Sequence, residues 1–199
     1  MRAFAILALA APLAAQDPDP CARIEDPAER VECYVREQQS GPVPAWRVGE
    51  QTDPITDRDS VVLRRLAEEA FEGPGGEPLR PALTLVCYHG REVLLSLEAG
   101  EPLAERADGG PAGIRLTARI GADPPAARTW TASGPDYEAA YLDEPSGALI
   151  LARALAEEDP GEALFRYEAA AGATRTSRFG LEGLAALLPR LERACAPRY

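Results

Sequence analysis

The chain of 199 residues has no lysine, no asparagine and one histidine, and cationic charge is scarce, with 21 Arg against 32 Asp and Glu. Without a lysine there is no amine to form a Schiff base or to reach the phosphates of a P-loop, which excludes both of those enzyme classes. His89 is the only imidazole and the cysteines lack paired C-x-x-C knuckles, so no zinc ligand set is present. The net charge of −11 repels phosphate backbones and anionic lipid surfaces alike, which argues against a nucleic-acid partner. Beyond the first residues no apolar run is long enough to cross a bilayer, so no membrane insertion is expected. A GC-rich coding bias accounts for arginine as the only strong cation and for the many Ala, Pro and Gly residues, and it carries no functional meaning.

What is present begins with an export signal. Arg2 is a short positive n-region, Ala3 to Ala11 is a brief apolar run, and Pro12-Leu13-Ala14-Ala15 offers small residues for cleavage. Residues 1–15 are therefore expected to be a signal peptide. Asp17-Pro18-Asp19-Pro20 stands before Cys21 where a lipobox would be, so the product is expected to be a periplasmic or secreted protein without a lipid anchor. Four cysteines in an exported chain read as two disulfides. Of the three possible pairings the favoured one joins Cys21 to Cys33 locally and Cys87 to Cys195 across the domain.

Cys21 to Gln39 reads as a small helical hairpin, with Asp26-Pro27 as cap and first-turn residue. Ser40-Gly41-Pro42-Val43-Pro44 is a stiff linker, which makes 16–44 a Cys-stapled segment and 45–199 the main domain. Trp46 and Val48 open its first strand. Val61 to Ala67 fits neither period cleanly, and β-branching at its start favours strand. Leu83, Leu85 and Cys87 alternate with Thr84, Val86 and Tyr88; His89-Gly90-Arg91 turns the chain; Val93, Leu95 and Leu97 then alternate with Glu92, Ser96 and Glu98, completing a hairpin. Alternation is cleanest from Gly113 to Ile120, and Thr129 to Ala132 reads as a short strand. Ala148 to Glu158, apolar nearly all round, predicts a buried helix ended by Asp159-Pro160-Gly161. A second hairpin around Gly172 and a last helix from Leu181 to Cys195, interrupted by Pro189, follow. The stretches 73–81 and 101–113 read as long connections. The expected fold is α+β: mainly antiparallel, sandwich-like β-sheet with two packed helices and the disulfide-stapled N-terminal hairpin.

No set of residues makes a recognisable catalytic constellation, and neither a cofactor nor a metal is expected. Cys87-Tyr88-His89 invites a thiol-imidazole reading, but in an oxidising compartment a cystine is the better account of Cys87. Ser133, His89 and Asp136 name a triad without the Gly-x-Ser-x-Gly elbow, and Ser133-Gly134-Pro135-Asp136 has the composition of a turn. Asp53, Asp57 and Asp59 lack the glycine and distal glutamate of a calcium loop, and Glu157, Glu158 and Asp159 read as surface charge at a helix end. Trp46 and Trp130 are read as core residues, with a binding platform as the alternative.

Several landmarks recur in order: Cys21-x11-Cys33-Tyr34 with Arg30, the Trp-led strand at Trp46, Leu83-x-Leu85-x-Cys87, Trp130-x-x-Ser133, Phe179-x-Leu181-x-Gly183-Leu184 and Cys195. As a set they resemble the type VI secretion-associated proteins of the TagO/VasI group. That resemblance implies a non-enzymatic envelope accessory protein that works by binding another envelope protein, with no catalytic residues to carry over. A second similarity supplies the alternative: Ser133-Gly134-x-x-Tyr137 resembles the Ser-Gly-x-x-Tyr loop of C-type lysozyme inhibitors. It implies an acidic binder of a cationic enzyme, although the lysine those inhibitors use is missing. The Trp opening and the C-terminal Gly-Leu helix are also similar to the invasion-associated locus B proteins. The candidate binding residues are accordingly Trp46, Trp130, Ser133 and Tyr137.

Overall fold

Along most of the chain, period-two alternation decides which face of each strand is buried. The computed structural model describes residues 45–52, 59–73, 75–88, 90–105, 112–134, 136–142 and 144–195, all within the unit 38–199. The expected leader 1–15, the helical segment and linker 16–44 with Cys21 and Cys33, and Asp53, Asp57 and His89 lie outside the described residues. The strands are β1 (Arg47–Thr52), β2 (Asp59–Leu66), β3 (Phe71–Glu72), β4 (Pro78–Leu79), β5 (Ala82–Tyr88) and β6 (Glu92–Glu98). They continue with β7 (Gly113–Ile120), β8 (Ala126–Ser133), β9 (Ala139–Tyr141), β10 (Glu162–Glu168) and β11 (Thr174–Gly180). Helix α1 (Pro145–Glu157) lies between β9 and β10, and α2 (Leu184–Cys195) follows β11.

Nine strands form one antiparallel sheet in the order β1-β2-β5-β6-β9-β8-β7-β10-β11, and β3 and β4 pair separately. The architecture is thus α+β, mainly antiparallel sheet with two helices. The strands expected as a sandwich-like arrangement are hydrogen-bonded into one continuous sheet, which curls until its last strand meets its second. The Glu68 amide, just past β2, donates to the Arg178 carbonyl of β11 at 2.8 Å. Buried Arg65 spans the same seam, reaching Glu68 at 2.8 Å and Glu182 at 3.0 Å.

Inside the curl lie two kinds of packing. On one half Leu63, Leu85, Cys87, Val93, Leu95 and Leu97 are buried, and α2 lays Leu184, Leu188, Leu191 and Cys195 on them, with α1 beside it. The Cys87–Cys195 disulfide, with Cα atoms 5.4 Å apart, joins β5 to the end of α2 and realises the favoured pairing of those two cysteines. On the other half Trp130, Phe165 and Phe179 stack edge to face at 6.1 and 5.8 Å between centroids.

Several local expectations meet their outcome here. Residues 61–66 belong to a strand, and both hairpins and the Gly113–Ile120 strand are present. Helix α1 is buried along one side only: Ile150 is 60% exposed and shares the outer stripe with Ser146, Arg153 and Glu157. The connection 73–81 contains β4, which pairs back on β3 just before it across a turn closed by the Gly73 amide donating to the Glu77 carbonyl at 2.7 Å. Asp159 does more than carry surface charge, because its carboxylate accepts from the amides of Gly183 and Ala185 at 3.0 and 2.9 Å. It caps the otherwise unpaired amides at the start of α2, where negative charge is favourable.

Candidate functional site

Neither tryptophan offers an indole face to solvent. Trp46 is buried just before β1, and Trp130, 1% exposed, is part of the aromatic stack. Ser133 ends β8, and the turn that follows carries Gly134 at φ +89° and Tyr137 at φ +54°. The carbonyls of Tyr137 and Glu138 accept from the amides of Leu103 and Ala99, at 2.9 and 2.8 Å, so the turn anchors the 99–103 loop. Tyr137 is half-buried against the core rather than projecting. Trp46, Trp130, Ser133 and Tyr137 thus do not form one surface.

A different set of residues does. On β2, β5 and β6 the inward positions are filled by the buried residues that meet α2, so Val62, Val86 and Leu94 point to the opposite face. Register places them side by side: Val62 opposes Val86, and Val86 opposes Leu94. This row is half-buried and apolar where a solvated sheet face would carry polar residues. Tyr88, 48% exposed, lies two residues along the same face of β5, and Tyr141 on β9 opposes Ser96 of β6. A polar border flanks the row: the Arg64 Nη2 to Glu98 Oε2 ion pair is 2.7 Å, and Thr84 Oγ1 donates to Glu98 Oε1 at 2.6 Å. The face thus has an apolar centre with a hydrogen-bonded rim. Val86 and Leu94 hold apolar side chains at positions that alternate with the buried ones, and the sequence alone assigns them no role. Both fall in one hairpin and on its outer side, which was the available signal.

The buried charges are consumed structurally. Glu101, 4% exposed, takes Arg175 in a two-point ion pair, Nε to Oε1 at 2.9 Å and Nη2 to Oε2 at 3.3 Å. The same guanidinium lies 4.4 Å over the Phe71 ring and donates to the Glu72 carbonyl at 3.2 Å. The neighbouring carboxylate raises the pKa of Arg175, which stays charged. Beside this clamp Tyr167 is buried, and desolvation pushes its phenol well above the ordinary tyrosine value, against the opposing pull of the nearby Ser177 hydroxyl. Neither Tyr167 Oη nor Ser177 Oγ completes a hydrogen bond of good geometry. The cluster fastens β11 to the 99–103 loop and β3.

Among the described residues no group of His, Cys, Asp and Glu side chains is placed to hold a metal ion. A shallow groove of about 280 Å³ is lined by Arg128, Thr129, Leu142 and Glu144 at one end of β8. No described helix is long and apolar enough to cross a membrane. Neither a family model nor a curated protein matches the chain. Among solved structures it is similar to invasion associated protein B from Bartonella henselae, with 11% identity and a TM-score of 0.46 over 75% of this chain and 94% of that one.

Proposed function

We propose that this protein is a non-enzymatic accessory or adaptor protein of the periplasm, comparable in role to the TagO/VasI group, that docks on another envelope protein. The observation that carries the reading is the apolar row Val62, Val86 and Leu94 on the outer sheet face, with Tyr88 and Tyr141 nearby. Burying those side chains against a partner is worth about 25 cal/mol per Å² of apolar surface, and the Arg64–Glu98 pair supplies a polar edge that resists misregistered docking. The Cys87–Cys195 cross-link supports an oxidising compartment. A rigid core behind the face also keeps the ordering cost of association low.

The test is chemical cross-linking in envelope preparations with the wild type and with Val86→Asp. A discrete partner captured by the wild type and lost in the variant is expected, with thermal unfolding confirming that the variant is folded. Equal capture by both would refute docking at this face. The alternative, an acidic binder of a cationic enzyme such as lysozyme, draws on the net charge of −11. It gains little from Tyr137, which packs on the core. Undiminished muramidase activity with the protein in stoichiometric excess removes that alternative.

A further inference from the structure

The outer face of the other half of the sheet carries the opposite of what the chain's overall charge leads one to expect. Ile114 and Leu116 face the core, so Arg115, Thr117 and Arg119 of β7 face out; Phe165 and Tyr167 face the core, so Leu164 and Arg166 of β10 face out. Register sets Arg166 directly opposite Thr117, midway between Arg115 and Arg119. The three arginines therefore form a triangle. Arg115 and Arg119 stand about 13 Å apart along one strand, and each is roughly 8 Å from Arg166 on the next, by the ordinary spacings of a sheet.

Each arginine is exposed, and none makes an ion pair among the described residues; Arg166 donates from Nε to Thr176 Oγ1 at 3.3 Å. The acidic residues at outward positions on these strands are Glu162 and Glu168, and the register that sets Arg166 opposite Thr117 carries Glu168 alongside Arg115. Glu162 is already engaged by Arg178 at 2.9 Å, and Arg178 is further matched by Glu69 at 3.4 Å. In a chain of net charge −11, three guanidinium groups without an ion pair among the described residues, against the one carboxylate of Glu168, stand out as a locally cationic surface. Beyond about 8 Å of solution at physiological salt the remaining negative charge is largely screened, so this face is read on its own terms at contact.

We propose that the outer face of β7 and β10 is a second docking surface, and that its occupant is an extended acidic segment of a partner protein. Charge complementarity selects an anion, and the spacing selects its form. Carboxylates two residues apart in an extended chain are separated by about 7 Å and those four apart by about 13 Å, close to the sides of the triangle. Each guanidinium offers a planar fork suited to one carboxylate. Thr117 and Thr176 flank Arg166 in register, and Thr117 places a hydroxyl between the charges. A membrane fits less well, because a polybasic surface of only three arginines is weak against a bilayer that repels the rest of the chain. This surface is separate from the apolar row, and its test is independent of it.

The experiment measures binding of a fluorescent (Glu-Thr)6 peptide to the full chain by anisotropy, with (Gln-Thr)6 and anionic phosphatidylglycerol vesicles as parallel probes. The acidic peptide is expected to bind, more weakly as salt rises, and the glutamine peptide is not. The triple change Arg115→Gln, Arg119→Gln and Arg166→Gln is expected to weaken binding on the order of tenfold, as three exposed pairs would. Arg47→Gln and Val86→Asp should leave it unchanged. Replacing the same three arginines by Glu should abolish binding of the acidic peptide, with thermal unfolding confirming that the variant is folded. Equal binding of the two peptides, indifference to the triple change, or binding to the vesicles in place of the peptide would each overturn the proposal.

Discussion

The two halves of the curled sheet solve the same problem by different means. Where β2, β5 and β6 lie, the inner face is aliphatic, covered by α2 and α1, and fixed covalently by Cys87–Cys195. Where β8, β7, β10 and β11 lie, no disulfide intervenes among the described residues; Trp130, Phe165 and Phe179 fill the space, and Glu101 with Arg175 clamps the end. Their outer faces differ to match, one with an apolar row and the other with a triangle of arginines. Rigidity built on the inside leaves the two outer faces free to differ, which is what the two docking proposals rest on.

That contrast breaks most sharply at the disulfide. Its half-cystines are 108 residues apart, and replacing both by Ser should cost about 4 to 5 kcal/mol by the chain-entropy model. Thermal unfolding measures the loss, and hydrogen exchange should find β5 and α2 opening before β10 and β11. In the other half Glu101→Gln leaves Arg175 without its ionic partner and should cost about 3 kcal/mol, again by thermal unfolding, with exchange rising first in the 99–103 loop and β3. Asp159→Ala removes the cap of α2 and should cost about 1 kcal/mol, confined to that helix.

The smallest effect concerns Tyr167 and has a distinct pH signature. Burial holds its phenol protonated in the folded state above the pH, about 10, at which an unfolded tyrosine ionises. Above that pH the folded state retains more protons than the unfolded one, so stability falls as pH rises. Below it the group is neutral in both states and contributes no slope. Tyr167→Phe, which also removes a buried hydroxyl lacking a good hydrogen bond, should be neutral or stabilising by about 1 kcal/mol. It should also reduce the alkaline loss in a series of urea titrations at increasing pH.

Much of this fold is legible in the residues themselves. Leu83-x-Leu85-x-Cys87 and Val93-x-Leu95-x-Leu97 predict their hairpin because both buried faces follow a strict period of two. The last helix is readable for a similar reason, with Leu184, Leu188 and Leu191 on one stripe. Strand β9 is not, since Ala139–Tyr141 is too short to show a period and owes its state to pairing with β6 and β8. The first half of β8, Ala126 to Thr129, is exposed throughout and carries no burial signal. The closing seam depends on Arg65 meeting Glu182, 117 positions away, which no local pattern encodes. Of the candidate binding residues, the two tryptophans stood out for their size, and size is what places them in the core. The apolar row and the arginine triangle emerge only when register sets neighbouring strands side by side.

Docking through the outer face of β2, β5 and β6 is tested most directly by site-specific photo-cross-linking in cells. A benzoylphenylalanine takes the place of Tyr88, on that face, or of Ile150, 60% exposed on α1. A discrete cross-linked envelope partner from position 88, with none from position 150, is the predicted result. Cross-linking from position 150 alone, or from neither position, would contradict the account.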